Sequence, residues 1–273
     1  MLKLDYILCI KIYTVSTDKH TTYTLGRKGE PHVQTVRQAM RIISKDLRND
    51  KLQIIWSIIF MLYMATVLSF FMNSMFQEPD YLNPLADFLM FIFMPMLGFI
   101  FSRRAFKYLS EDSYTQMLYY YRSIPVPTEA VIMSRAIMGL GAFIMNGSIF
   151  FGGTYLFAAD LRANMDVASY MAFGLTWIGL GILINGCYIY FEFMRHGKSY
   201  MWTNFLITLV IAVVIIGLFF LGVRFSLFNH LIGESDKWKL LSPYMWGSLI
   251  TGIIGFSLMC RLTYKRMRLR DLS

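Results

Sequence analysis

IIWSIIFMLYMATVLSFFM, residues 54–72, runs for nineteen positions without a charged side chain. As a helix it is about 28 Å long, close to the hydrocarbon thickness of a bilayer. Backbone amides find no water in hydrocarbon, so the segment must satisfy them internally, as a helix. Its residues do not alternate apolar and polar, as the strands of a membrane barrel would. Five further apolar runs follow, and the spans are placed at 52–73, 84–102, 131–158, 167–193, 202–223 and 243–261. The fold class is therefore all-α: a polytopic membrane protein, a six-transmembrane-helix bundle with an N-terminal amphipathic interfacial helix. Span two is the weakest of the six, because Asp87 and Pro95 interrupt it.

Composition agrees with lipid as the solvent. Apolar residues make up 56% of the 273 and charged residues 16%, where soluble domains carry about a quarter. Mean hydropathy is +0.48. The net charge of +9 is a matter of topology. Twenty-two of the 26 Lys and Arg residues fall before span one, in the loops after spans two and four, and in the tail. The other side receives Arg162, Arg224, Lys237 and Lys239. Positive residues stay inside, so both termini are expected in the cytoplasm of a multi-pass cell (plasma) membrane protein. Membrane lipids are expected partners and nucleic acid is not.

Outside the spans, residues 1–32 form an N-terminal extension to which no role is assigned. Residues 33–50 read as an amphipathic helix along the inner leaflet. Val33, Val36, Met40, Ile43 and Leu47 recur at three- and four-residue spacing, with Arg37, Arg41, Lys45 and Arg48 on another face. Residues 52–265 form the transmembrane domain. In the loop 102–129, Ser110-Glu111-Asp112 suits a helix N-terminus. Pro125 and Pro127 end that helix, and Thr128 is placed as the cap of span three.

Enzymatic signatures are sparse. Gly197-Lys198-Ser199 ends like a phosphate loop, but Glu192 stands where the first glycine belongs. There is no HExxH and no GxSxG, and all four histidines lie outside the spans. Cys9, Cys187 and Cys260 form no CxxC pair, so neither a metal nor a disulfide framework is expected. Within the spans, Asp87 is expected to be hydrated at the outer end, and Glu192, near the inner end and Arg195, to form an interfacial salt bridge or be solvated, in preference to a proton relay. Asn146 and Asn185 lie deeper, as possible intramembrane polar contacts: hydrogen bonds across helices, or the lining of a substrate path. Glycines mark spans three, four and six, for contacts either within one subunit or between two.

The run containing Glu111, Thr115, Leu118, Ile124, Pro125, Val126, Pro127 and Arg135 resembles permeases of the type-two ABC exporter family. The resemblance covers residues 33–270 in layout, with Tyr114 where the family carries glycine. It implies the permease subunit of an ATP-driven exporter, with catalysis on a separate ATP-binding subunit. The second pathway subunit would be another copy of this chain or a paralogous permease. This chain would bind no cofactor and catalyse no reaction, since ATP sits on the partner. By position, Glu111, Asp112, Thr115, Leu118 and Pro125 would form the ATPase-coupling loop. The alternative is a membrane scaffold or sensor without a transport cycle, and a lipid-modifying enzyme is a weaker third reading.

Overall fold

The computed structural model describes residues 31–77, 79–101, 116, 119, 120, 123, 126–221 and 226–269. Residues 1–30, Glu111, Asp112, Thr115, Leu118 and Pro125 lie outside them. Every regular element among the described residues is helical. The order is α1 (Pro31–Asn49), α2 (Lys51–Gln77), α3 (Pro79–Met96), α4 (Thr128–Phe157), α5 (Ala159–Asn164), α6 (Val167–Met194), α7 (Gly197–Phe220) and α8 (Leu227–Trp238). A 3-10 turn (Lys239–Leu241) and α9 (Pro243–Leu269) complete the chain.

Among the described residues, five helices are long and apolar enough to cross a membrane: Lys51–Ser74, Thr128–Phe157, Val167–Met194, Lys198–Phe220 and Pro243–Met267. This is the architecture of a multi-pass helical membrane protein. The sixth run is different, because its apolar helical part is Leu85–Met96. The expectation of a continuous helix over 84–102 is thus corrected. Pro95 carries no amide hydrogen, and beyond Met96 the turns tighten to i→i+3 bonds. Gly98 N donates to Pro95 O at 3.2 Å and Phe99 N to Met96 O at 3.1 Å. Residues 99–101 then leave the helix altogether.

α6 is the centre of the bundle. Trp177 and Phe173 are fully buried on it, edge-on to Phe91 at 5.6 Å and Phe228 at 5.2 Å respectively. Its glycines let α9 approach closely. A Cβ on Gly252 would strike Gly179 O, and one on Gly186 would lie 3.0 Å from Phe256 Cα. Gly139, Gly153, Gly174 and Gly181 also face neighbouring segments of the same chain, whereas Gly141, Gly152 and Gly247 meet open space. α7 is the opposite case: no residue from Lys198 to Phe220 is buried except Tyr200, and its aliphatic surface faces outward.

Three local expectations change. α1 packs against the start of α4, but its buried residues are Ala39, Ile43 and Asp46, whereas Val33 is 60% and Met40 46% exposed. Thr128 begins α4 instead of capping it; the cap position is Pro127, with no side-chain hydrogen bond. Asp87 is buried, not hydrated. Its carboxylate accepts from Leu227 N at 3.1 Å and Phe228 N at 2.6 Å. Those are the first two amides of α8, which have no intrahelical acceptor and sit at the positive end of the helix dipole. The polar stretch 224–243 therefore contains a helix pinned to α3.

At that same end of the bundle, Asp166 caps α6 by accepting from Ser169 N at 2.7 Å and pairs with Lys239 at 2.6 Å. Lys239 has φ of 49°, a conformation uncommon outside glycine, and the ion pair helps to hold it there. The Lys239 hydrogen bond, with those from Ser169, depresses the Asp166 carboxyl below its ordinary range. The same contact raises the Lys239 ammonium. A depressed carboxyl contributes stability above its unfolded value, near pH 4, and loses it as pH falls through the folded value. The melting temperature of Asp166→Asn is therefore expected below wild type at pH 7. The difference should begin to narrow below about pH 4 and shrink progressively as pH falls toward the depressed folded value.

Candidate functional site

The break after Met96 leaves backbone groups without helical partners inside an apolar bundle. Such groups cost free energy unless something else bonds them. Asn146 on α4 does this: its Nδ2 donates to Leu97 O at 3.0 Å and to Phe99 O at 2.8 Å. Ser57 on α2 accepts from Phe101 N at 2.7 Å. Two helices thus hold the unwound segment in one shape, and Asn146 is fully buried in doing so.

Asn185 on α6 lies on the other side of Gly98. A Cβ at Gly98 would strike the Asn185 side chain and lie 2.6 Å from Phe143 Cε2. Only glycine admits so close an approach. Gly139 on α4 makes room for the same amide, with its Cβ position 3.2 Å from Asn185 Oδ1. Asn185 is 1% exposed, and neither of its side-chain polar atoms has a hydrogen-bond partner among the described residues. Asn146 Oδ1 also lacks one. Native interiors rarely leave such groups unpaired, and those that remain unpaired call for a role.

One turn from Gly139, Arg135 pairs with Glu192 across α4 and α6 at 2.9 Å. A salt bridge at Glu192 was one expectation, and the structure gives it Arg135 as partner in place of the nearby Arg195. Arg195 is the C-cap of α6 in extended conformation, and it donates to Ser199 Oγ at 3.2 Å instead. Below the ion pair, Asp46, Leu47, Asp50, Ile100, Phe101, Arg135 and Met138 line a cavity of about 30 Å³. That is room for a water molecule. A polar seam thus runs from Asn146 and Asn185, past the ion pair, to the α1 end of the bundle.

The structure brings Asn146 and Asn185 together on the broken span. The proposed coupling residues lie outside what it describes, although Tyr120 of that loop is described. Lys45 Nζ donates to the Tyr120 hydroxyl at 3.0 Å, linking the loop to α1. Sequence reasoning missed Ser57, Gly98 and the Arg135–Glu192 pairing. Pro95 followed by Gly98 in an apolar run was the signal for the break. Among the described residues, no three His, Cys, Asp or Glu side chains converge to hold a metal. No family model, curated protein or solved structure matches this chain.

The two asparagines separate experimentally. Asn146→Leu strands two carbonyls and is expected to cost about 1–3 kcal/mol. Asn185→Leu removes an amide without partners and is expected to leave thermal stability unchanged or raised. Unfolding followed in detergent by tryptophan fluorescence measures both. Equal destabilisation by the two substitutions would contradict this assignment of roles.

Proposed function

We propose that this chain is the permease subunit of an ATP-driven exporter of the type-two ABC family. It would cross the cell membrane six times, with both termini in the cytoplasm, and pair with a second copy or a paralogous permease. ATP would bind and be hydrolysed on a separate subunit docked at the loop 102–129.

The observation that carries this reading is the broken span. Twelve helical residues from Leu85 to Met96 rise about 18 Å. The two turn residues Leu97 and Gly98 and the three beyond them add about 14 Å, enough together to complete a crossing. Ser57, near the start of span one, meets Phe101 N and supports the same crossing. Non-helical backbone at membrane depth is tolerated where it is buried in protein or lines a cavity, as in the broken helices of transporters. A static scaffold has no use for an interrupted span beside an unpartnered Asn185. A transport cycle does, because the segment continues directly into the loop proposed to meet the ATPase. Movement of that loop would pull on residues 97–101 and exchange the partners of Asn146 and Asn185.

Purification of the tagged chain from its native membrane is expected to recover an ATP-binding subunit. Glu111→Lys combined with Leu118→Arg is expected to abolish that association. If no ATPase accompanies the wild-type chain, the scaffold reading replaces this one. If the double variant still binds the ATPase and exports, the coupling loop is elsewhere.

A further inference from the structure

The side of α1 turned away from the bundle carries Arg37, Arg41, Ser44, Lys45 and Arg48, all exposed. At 100° per residue these five side chains fall within about 100° of arc. Val33 and Met40 form an exposed apolar edge beside them, and Ala39, Ile43 and Asp46 are buried against the chain. The helix thus presents buried, apolar and cationic strips in rotational order. Exposing Val33 and Met40 to water would gain nothing. In a headgroup layer, the same edge meets acyl chains while the cations meet phosphates.

The cationic strip borders a shallow, open recess. Arg41, Ser44, Lys45, Arg48 and Asn49 line a recess of about 450 Å³, with three cations, two neutral hydrogen-bonding side chains and no carboxylate in that lining. Neither Arg41 nor Arg48 forms an ion pair with a described residue. Arg41 and Arg48 are seven residues apart, so about 10 Å of helix separates two guanidinium forks on one side of α1. Guanidinium forks match phosphate oxygens in a bidentate way. Lys45, between them, already touches the loop: its Nζ lies 4.8 Å from the Tyr120 ring centroid as well as bonding the hydroxyl.

We propose that this recess binds the phosphate headgroup of an anionic phospholipid. Arg41 and Arg48 contact the phosphate oxygens, Ser44 donates its hydroxyl, and Lys45 joins the headgroup to Tyr120. The bound lipid therefore braces Tyr120 against α1. The inference rests on the cytoplasmic placement of α1 proposed above. Labelling of Gln34→Cys, in a Cys9→Ser background, with a membrane-impermeant thiol reagent tests that placement by itself. Protection in intact cells and reaction in inverted vesicles support it, and the reverse pattern removes the placement without touching the lipid measurement.

The lipid site is tested on the full chain in neutral detergent, titrated with phosphatidylglycerol and counted by native mass spectrometry. Arg41→Gln with Arg48→Gln is expected to weaken retention about thirtyfold, the product of two lost surface charges. Lys265→Gln with Arg266→Gln removes the same charge from exposed positions of α9 and is expected to change retention less than threefold. Equal weakening by both pairs, or none from the α1 pair, overturns the site. Should the first pair fail to fold, wild-type retention decides. It should fall steeply with added salt and be absent for phosphatidylcholine, and indifference to salt and headgroup refutes the proposal. Inorganic phosphate is expected not to displace the lipid at equal concentration, and displacement would make this a free-anion site.

Discussion

Gly252→Val is expected to destabilise the protein by about 3 kcal/mol or more, at the upper end of the cost of overpacking. The reason lies in which atoms collide. A Cβ at Gly252 meets the carbonyl oxygen of Gly179, and a Cβ at Gly179 would lie 2.6 Å from Ser248 C and 2.7 Å from Leu249 N. These are backbone atoms of two helices, so no side chain can rotate away. α6 and α9 must separate, and α6 carries Trp177 and Phe173 at the centre of the core. A neighbouring glycine on the same helix gives the opposite sign. Gly247 meets nothing within 4 Å, so Gly247→Ala is expected to stabilise α9 by about 0.5–1 kcal/mol through helix propensity. Denaturant titration of both variants in detergent decides the matter. A Gly252→Val protein as stable as wild type would mean that α6 and α9 do not meet as described.

The glycine pattern shows where sequence reading stops. Glycines in spans three, four and six were visible as small residues, but sequence alone left open whether they served one subunit or two. The answer depends on helix rotation. Gly247 and Gly252 are five residues apart, hence on different faces, and hydropathy is nearly uniform around such helices. α1 teaches the same lesson. Its spacing was amphipathic, yet the buried strip is offset to include Asp46, whose burial no apolar pattern announces. The spans themselves were legible because length and hydrophobicity are properties of a segment alone. Partnerships were not, because they are properties of two.

The candidate site divides along the same line. Asn146 and Asn185 stood out as polar residues in apolar runs, and Pro95 as an interruption. That the three features meet at one glycine follows from three helices crossing there, and that crossing is absent from any one of them. Asp87 was read as an exposed carboxylate because it sits near a span end. It is instead the acceptor for the α8 amides, 140 residues away in sequence. A buried carboxylate needs such a partner, so its burial implied one without saying which.

The Arg135–Glu192 pair carries the second large effect. Arg135→Leu is expected to cost about 3 kcal/mol, because it takes the guanidinium from the buried Glu192 carboxylate, and Glu192→Leu is expected to cost less, because Arg135 also borders Asp46 and Asp50. The value sits at the low end of the range for broken buried pairs, since Arg135 keeps 19% of its side chain exposed and solvent already reaches the pair. The double replacement is expected to be more stable than Arg135→Leu alone, since the Glu192 carboxylate is then no longer left without the guanidinium. A double-mutant cycle on unfolding free energy measures the coupling, and additive losses would place the two side chains apart. If the chain exports as proposed, transport supplies an independent readout. The pair joins α4 to α6 within two turns of Asn185, whose partners the proposed cycle would exchange. An apolar pair would hold the seam without a polar contact that can re-form, so the stable double variant is expected to bind the ATPase yet fail to export. Normal export by that variant would assign the ion pair to folding alone and move the gate to the broken segment between Met96 and Phe101.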